Sequence, residues 1–187
     1  MSILVVNYGG STAHHIQTIL TELGIPSLFI QPADPLPSSP IQGIILSGGP
    51  DHVYEASARR LPIWIDQINV PVLGICYGMQ LIVNNLGGTI VPLPNFGLER
   101  GPILINSFQD DPLLGRFMTR LAWMNHFDTV INLPLNLKIT SISQNGYISS
   151  INDSKRWWGV QFHPENIVGL DWGREIFTNF IQICTNY

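Results

Sequence analysis

The ten residues Pro71–Gln80, PVLGICYGMQ, decide how this chain is read. An apolar run, Val72–Ile75, leads without a polar break into Cys76, and glycines at 74 and 78 stand two residues to either side of that cysteine. Gly-x-Cys-x-Gly has the spacing of a nucleophile elbow, in which a strand turns sharply into a helix and lifts a reactive side chain out of the turn. Small flanking residues let the backbone pass closely enough for this. The helix expected next, over Tyr77–Leu86 and closed by Gly87-Gly88, aims free N–H groups and its positive dipole end at the thiol, which favours thiolate. The N–H of Tyr77 is then placed to bond a developing oxyanion. By itself the spacing also fits an inert buried thiol. The reading therefore turns on whether the rest of the chain supplies a base.

Working outward, the first half alternates strand and helix. Ile3–Tyr8 is a continuous apolar strand ending in a glycine turn, and Thr12–Leu23 has apolar residues at helical spacing, stopped at Gly24. Residues 26–30 and Gly43–Ser47 are further short strands, with a proline-rich loop between them. Glu55–Ile68 reads as a helix and residues 70–76 as a strand. Apolar strands separated by helices predict a parallel sheet covered on both faces. The second half reads mostly as strands, over residues 88–93, 101–107, 137–143, 146–152 and 157–163, and Gly173–Cys184 as a last helix. With no repeat, linker or low-complexity tract, residues 1–187 are expected to form a single domain.

Composition narrows the function classes. Only 12% of the 187 residues are charged, roughly half the usual share, and mean hydropathy is +0.19. A net charge of −4, with nine unclustered Lys and Arg, argues against a nucleic-acid partner. No apolar run approaches a membrane span, and the opening MSILVVNYGG reads as a first strand rather than a leader. Two cysteines more than a hundred residues apart make neither a disulfide framework nor a metal-ligand spacing. No metal is expected, and the setting implied is a reducing cytoplasm.

The base comes from WWGVQFHPE, Trp157–Glu165. Here a strand ends at His163, Pro164 fixes the turn, and Glu165 lies two residues on. Proline keeps the preceding residue extended, which aims His163 and Glu165 to one side of the strand end. There a carboxylate can orient an imidazole and stabilise its charged form. In a parallel sheet Cys76 and His163 meet at the carboxyl edge, where ligands bind. A third segment, ILSGGPDHVYE (Ile45–Glu55), ends a strand in Gly48-Gly49-Pro50 and exposes backbone N–H groups beside that of Tyr77.

Together these three segments resemble the class I glutamine amidotransferases, over nearly the whole chain. The resemblance implies a three-layer α/β sandwich with a central, mostly parallel sheet of flavodoxin-like type. It implies that Cys76 attacks the glutamine amide carbon, that His163 relays a proton to the departing ammonia, and that Glu165 orients His163. The N–H groups of Gly49 and Tyr77 take the place of the oxyanion hole. Gly48, Gln80, Asn125 and His126 fall at glutamine-contacting positions, and Asp128 at one that faces a partner.

Within that family, ILSGGP, GICYGMQ, the opening NYGGSTAHHIQTILTELG (Asn7–Gly24) and the close WGVQFHPE…GREIFTNFIQIC are similar to the branch that serves GMP synthesis. By that resemblance the chain carries no cofactor of its own. ATP and Mg would be bound by an ATP pyrophosphatase (synthetase) subunit on a separate chain, because the sequence stops just after its last helix.

Two departures leave other assignments open. Phe127 stands where the branch has glycine, and Arg100, in LERGPI, where an aromatic residue follows the glutamate. A glutaminase subunit for another pathway, of anthranilate type or for a specialised metabolite, remains an alternative. So does a catalytically weak regulatory or binding module of the same fold.

Overall fold

The apolar runs form strands β1 (Ile3–Val6), β2 (Ser27–Ile30), β3 (Gly43–Leu46) and β4 (Val72–Ile75), interleaved with helices α1 (Ala13–Glu22) and α2 (Tyr77–Asn85). The later strands are β5 (Thr89–Pro92), β6 (Glu99–Ser107), β7 (Thr119–His126), β8 (Asp128–Asn132), β9 (Lys138–Ser143), β10 (Ile148–Asn152) and β11 (Trp157–Val160), followed by α3 (Gly173–Asn186). This computed structural model describes residues 2–94, 97–116, 119–166 and 172–187. Nine strands form one sheet in the order β2-β1-β3-β4-β11-β10-β9-β6-β7, and β5 and β8 pair separately. From β2 to β11 all neighbours are parallel. From β11 onward the sheet continues antiparallel as far as β7, which forms its edge.

The three layers follow from which side chains are apolar on each face. Ile16, Ile19 and Leu20 of α1, with Ile176, Phe177 and Phe180 of α3, cover one face over Ile3, Val5, Ile45, Leu73 and Val160. Tyr77, Met79, Ile82 and Val83 of α2 cover the other over Leu4, Val6, Ile44, Leu46 and Val72. Trp157 and Trp158 are consecutive and point to opposite faces, yet both are buried, because both faces are covered. Cys184 on α3 belongs to the first layer, where burial pushes its thiol up to about 12. It is a core residue without the setting of a nucleophile.

Two expectations fail locally. The helix read over Glu55–Ile68 is absent: the segment makes irregular turns and a single 3-10 turn at Ile65–Gln67. The Arg59 N–H donates to Asp51 Oδ2, and the Arg60 guanidinium donates to the carbonyls of Val53 and Glu55. These side-chain bonds replace the ladder a helix would need, and Pro62 removes a further donor. Strands β7 and β8 have no counterpart in the sequence reading. In β7 the inward positions are Ala122, Met124 and His126 while Leu121 faces outward, half exposed, so hydropathy does not report the alternation. Among the described residues no helix is long and apolar enough to cross a membrane.

Candidate active site

Cys76 follows β4 directly and occupies the N-cap position of α2, with φ 51° and ψ −106°. It and Ser154 are the non-glycine residues with positive φ among those described. Such a conformation is costly for a residue with a Cβ and persists only where its surroundings enforce it. The surroundings here are the two glycines. A Cβ on Gly74 would lie 2.5 Å from the backbone of Gly78 and Met79, and one on Gly78 would lie 2.4 Å from the carbonyl oxygen of Leu46. Helix α2 therefore starts in direct backbone contact with β3 and β4, and the chain has no room to turn more gently. The Cys76 N–H donates to Val160 O at 2.8 Å, which ties the elbow to the end of β11.

Three residues past β11, His163 is held by its backbone N–H on Trp123 O, 2.8 Å away in β7. Its Nδ1 lies 2.7 Å from Glu165 Oε1, and the Thr12 hydroxyl donates to that same oxygen at 2.7 Å. His163 is 8% exposed and Glu165 fully buried. The other ring nitrogen, Nε2, has no oxygen or nitrogen partner among the described residues and is the one left for the thiol. Gly48 allows this placement: a Cβ there would lie 2.9 Å from His163 Cε1 and 3.7 Å from Cys76 Cβ. Burial is the largest influence on His163 and opposes its charge. The Glu165 carboxylate and Cys76 outweigh it, holding the imidazole well above the ordinary histidine value.

That shift carries a sign. His163 gains charge stabilisation on folding, so its contribution is complete below the unfolded histidine value, about pH 6.5. It is lost as pH rises through the higher folded value. The thermal midpoint is expected to decline on the alkaline side of neutrality. A His163→Gln variant should lose that part of the slope, whereas an unchanged slope would mean that other groups produce it.

Cys76, His163, Thr12, Gly9, Gly10, Ser11, Gly49, Pro50, Arg100, Trp123, Asn125 and Asn166 line one cavity of about 450 Å³ at the carboxyl edge of the parallel strands. Gly49 packs against Tyr77, whose Cδ1 a Cβ on Gly49 would meet at 3.2 Å. Neither the Gly49 nor the Tyr77 N–H is engaged elsewhere among the described residues. One of these amides follows the thiol directly in the chain, and the other belongs to a residue of the cavity wall.

The other anticipated residues divide. Asn125 forms part of the cavity wall, and its carbonyl oxygen lies 3.9 Å from Cys76 Sγ. Gln80 and His126 are not part of that wall. The His126 ring joins Glu99 Oε2 at 2.9 Å to Asp128 O at 2.8 Å, and Gln80 Nε2 reaches Gln161 Oε1 at 3.2 Å and Asp128 O at 3.4 Å. Consecutive residues of a strand face opposite ways, so Asn125 and His126 cannot both enter the cavity. Behind the wall, the buried Asp128 carboxylate accepts from Tyr54 and lies 2.6 Å from His52 Nδ1. Phe127 has no positive φ, and the residue is 55% exposed, so its bulk fits the turn between β7 and β8.

Thr12 and Asn166 escape the sequence reading. For Thr12 a signal exists: it stands at the N-cap of α1, yet its hydroxyl makes no capping bond and goes to Glu165 instead.

Known proteins share this arrangement of segments. The family model described as glutamine amidotransferase class-I matches residues 4–183. The Thermotoga maritima protein named GMP synthase [glutamine-hydrolyzing] is 37% identical over 183 residues, covering 97% of this chain and 36% of that one. Its Petrotoga mobilis counterpart is 40% identical over 186 residues, with 97% and 36% covered. The chain thus spans about a third of the length of these curated relatives. Among solved structures, a Thermoplasma acidophilum protein assigned as one subunit of a GMP synthase superposes with a TM-score of 0.84 at 28% identity, covering 100% of this chain and 95% of that one. A Thermotoga maritima glutamine amidotransferase shares the fold, with a TM-score of 0.72 at 19% identity over 100% of this chain and 85% of that one. With a strained cysteine elbow facing a carboxylate-held histidine in one cavity, and a family model matching from the first strand into the last helix, this chain belongs to the class I glutamine amidotransferases.

Proposed function

We propose that the chain hydrolyses glutamine to glutamate and ammonia through a thioester on Cys76, and that the ammonia passes to an ATP-dependent synthetase that aminates xanthosine 5′-monophosphate to GMP. The observation that carries this reading is the Cys76 elbow opening into the same cavity as the His163–Glu165 pair.

In the first half-reaction the Cys76 sulfur, as thiolate, bonds to the γ-carboxamide carbon, and the carbonyl π electrons move onto oxygen. The free N–H groups of Gly49 and Tyr77 receive that oxyanion. As it collapses, the C–N bond breaks and His163 Nε2 gives its proton to the departing nitrogen, which leaves as ammonia. In the second half, His163 takes a proton from water, the hydroxide adds to the thioester carbon, and the C–S bond breaks to release glutamate and restore the thiol. Glu165 holds the ring so that Nε2 rather than Nδ1 faces the sulfur, and Thr12 fixes the carboxylate. From behind the wall, His126 ties β7, the strand that carries Asn125, to Glu99 of β6, and Gln80 holds the Asp128 carbonyl of β8. ATP and Mg belong to the synthetase, a separate chain by analogy with the Thermoplasma acidophilum protein, of which this chain covers 95%.

A glutaminase that ran without an acceptor would waste nitrogen, so turnover is expected to be low in the isolated chain and to rise on docking. The test is glutamate release with and without a GMP-synthase-type ATP pyrophosphatase chain, ATP and xanthosine 5′-monophosphate. Cysteine-dependent release that climbs at least tenfold with all three supports the reading. Cysteine-dependent release indifferent to them would keep the glutaminase and reject the acceptor, and release that survives Cys76→Ala would reject both.

A further inference from the structure

Among the described residues the cavity wall contains one permanent cation, Arg100, and no carboxylate. Arg100 is exposed to the cavity's solvent, and among those residues its guanidinium has no hydrogen-bond or ion-pair partner. Its position is set by the sheet: Arg100 on β6 is directly opposite Asn125 on β7, the residue whose carbonyl meets the Cys76 thiol. Residues opposed across an antiparallel pair carry their side chains on the same face, close together. A guanidinium without a partner among the described residues thus lines the cavity that holds the reacting sulfur, on the wall where Asn125 also lies. In the nearby turn after β1 the Gly9 N–H donates to Asn7 Oδ1 and the Gly10 N–H to Gly48 O, so these two amides are not available to an anion.

Glutamine held with its carboxamide carbon at Cys76 carries its α-carboxylate two methylenes and one carbon away, and that negative group needs donors in a partly desolvated pocket. We propose that Arg100 binds the α-carboxylate of the substrate and is the residue that selects an α-amino acid over other carboxamides. The assignment rests on the glutaminase reading above. Guanidinium and carboxylate match as two parallel N–H···O bonds, a geometry that fixes orientation as well as supplying attraction. It also accounts for an arginine at the departure from the aromatic residue of the related branch. Because this pairing forms in the bound substrate and is kept through the reaction, its loss should raise KM much more than it lowers kcat.

The test compares wild type with Arg100→Ala and Arg100→Lys on two substrates, glutamine and 4-aminobutanamide, which lacks the α-carboxylate. Arg100→Ala is expected to raise KM for glutamine about 10- to 100-fold, the value of one charge-assisted pair, with kcat within a fewfold. On 4-aminobutanamide, kcat/KM should be alike in all three enzymes. Arg100→Lys should recover part of the loss, since it keeps the charge without the planar fork. Equal losses on both substrates, or a loss confined to kcat, would overturn the proposal.

A second readout needs no turnover. Alkylation of Cys76, followed by intact mass, is compared between 6-diazo-5-oxo-L-norleucine, which carries the α-carboxylate, and iodoacetamide, which does not. Arg100→Ala should slow the first reagent at least tenfold and leave the second unchanged. If the carboxylate-bearing reagent labels wild type and Arg100→Ala at the same rate, the proposal fails even where glutamine hydrolysis holds. Absence of cysteine-dependent glutamate release would instead count against the glutaminase reading itself.

Discussion

Glutamate release by a Glu165→Gln variant is expected to fall by about three to four orders of magnitude, nearly as far as with the thiol removed. The side chain is fully buried, and its Oε1 accepts from both the His163 ring and the Thr12 hydroxyl. Glutamine has nearly the same shape, so the loss would not come from a cavity. With its amide oxygen in the Oε1 position both hydrogen bonds survive, but the NH2 group then occupies the place of Oε2, which has no partner among the described residues, and two donors are left unsatisfied. With the amide turned over, the NH2 donates to Nδ1 and forces the ring proton onto Nε2, where it can no longer accept a proton from sulfur. In either arrangement the negative charge that holds His163 protonated is gone. Steady-state assays, with far-ultraviolet circular dichroism as a check on folding, decide it. More than a tenth of wild-type kcat remaining would show that the carboxylate does not control the imidazole.

The residues legible in the sequence are those whose roles are enforced by neighbours in the chain. Gly74 and Gly78 belong to Cys76 through a backbone turn, and Pro164 belongs to His163 and Glu165 in the same way. Continuous apolar runs mark β1, β3 and β4 because a parallel sheet covered on both faces leaves no polar side to show. The failures are non-local. The carbonyls of Arg59 and Arg60 accept from the hydroxyls of Tyr77 and Tyr8, the latter 52 positions away, and no local periodicity announces that such bonds will displace a helix. Thr12 reaches Glu165 across 153 positions, so a residue that looks like an ordinary cap is part of the site. His126 shows a subtler limit. It does stand next to Asn125 at the end of β7, but neighbouring strand residues divide between the two faces, and only Asn125 enters the cavity.

The strain at Cys76 leads to the largest expected effect on stability. A Gly78→Ala variant is expected to lose about 3 kcal/mol of unfolding free energy, because the added methyl meets rigid backbone rather than a side chain that can rotate away. Its Cβ would stand 2.4 Å from Leu46 O and 2.8 Å from Leu46 Cβ, at the carboxyl end of β3 in the core layer beneath α2. For a chain of this length that loss corresponds to a fall of roughly 6–12 °C in Tm. Gly24→Ala separates contact from conformation. Gly24 has φ +71° but open space around it, so alanine there meets only the left-handed penalty of about 1–2 kcal/mol. A Gly78→Ala protein as stable as Gly24→Ala would mean that α2 can back away from β3 cheaply. In that case nothing would hold Cys76 at its positive φ, and the elbow could relax. A markedly less stable protein would mean that the contact is rigid, and the same rigidity keeps the sulfur facing His163. Any molecules of Gly78→Ala that remain folded should then also be slow in glutamate release, since the elbow can accept the methyl only by moving the thiol.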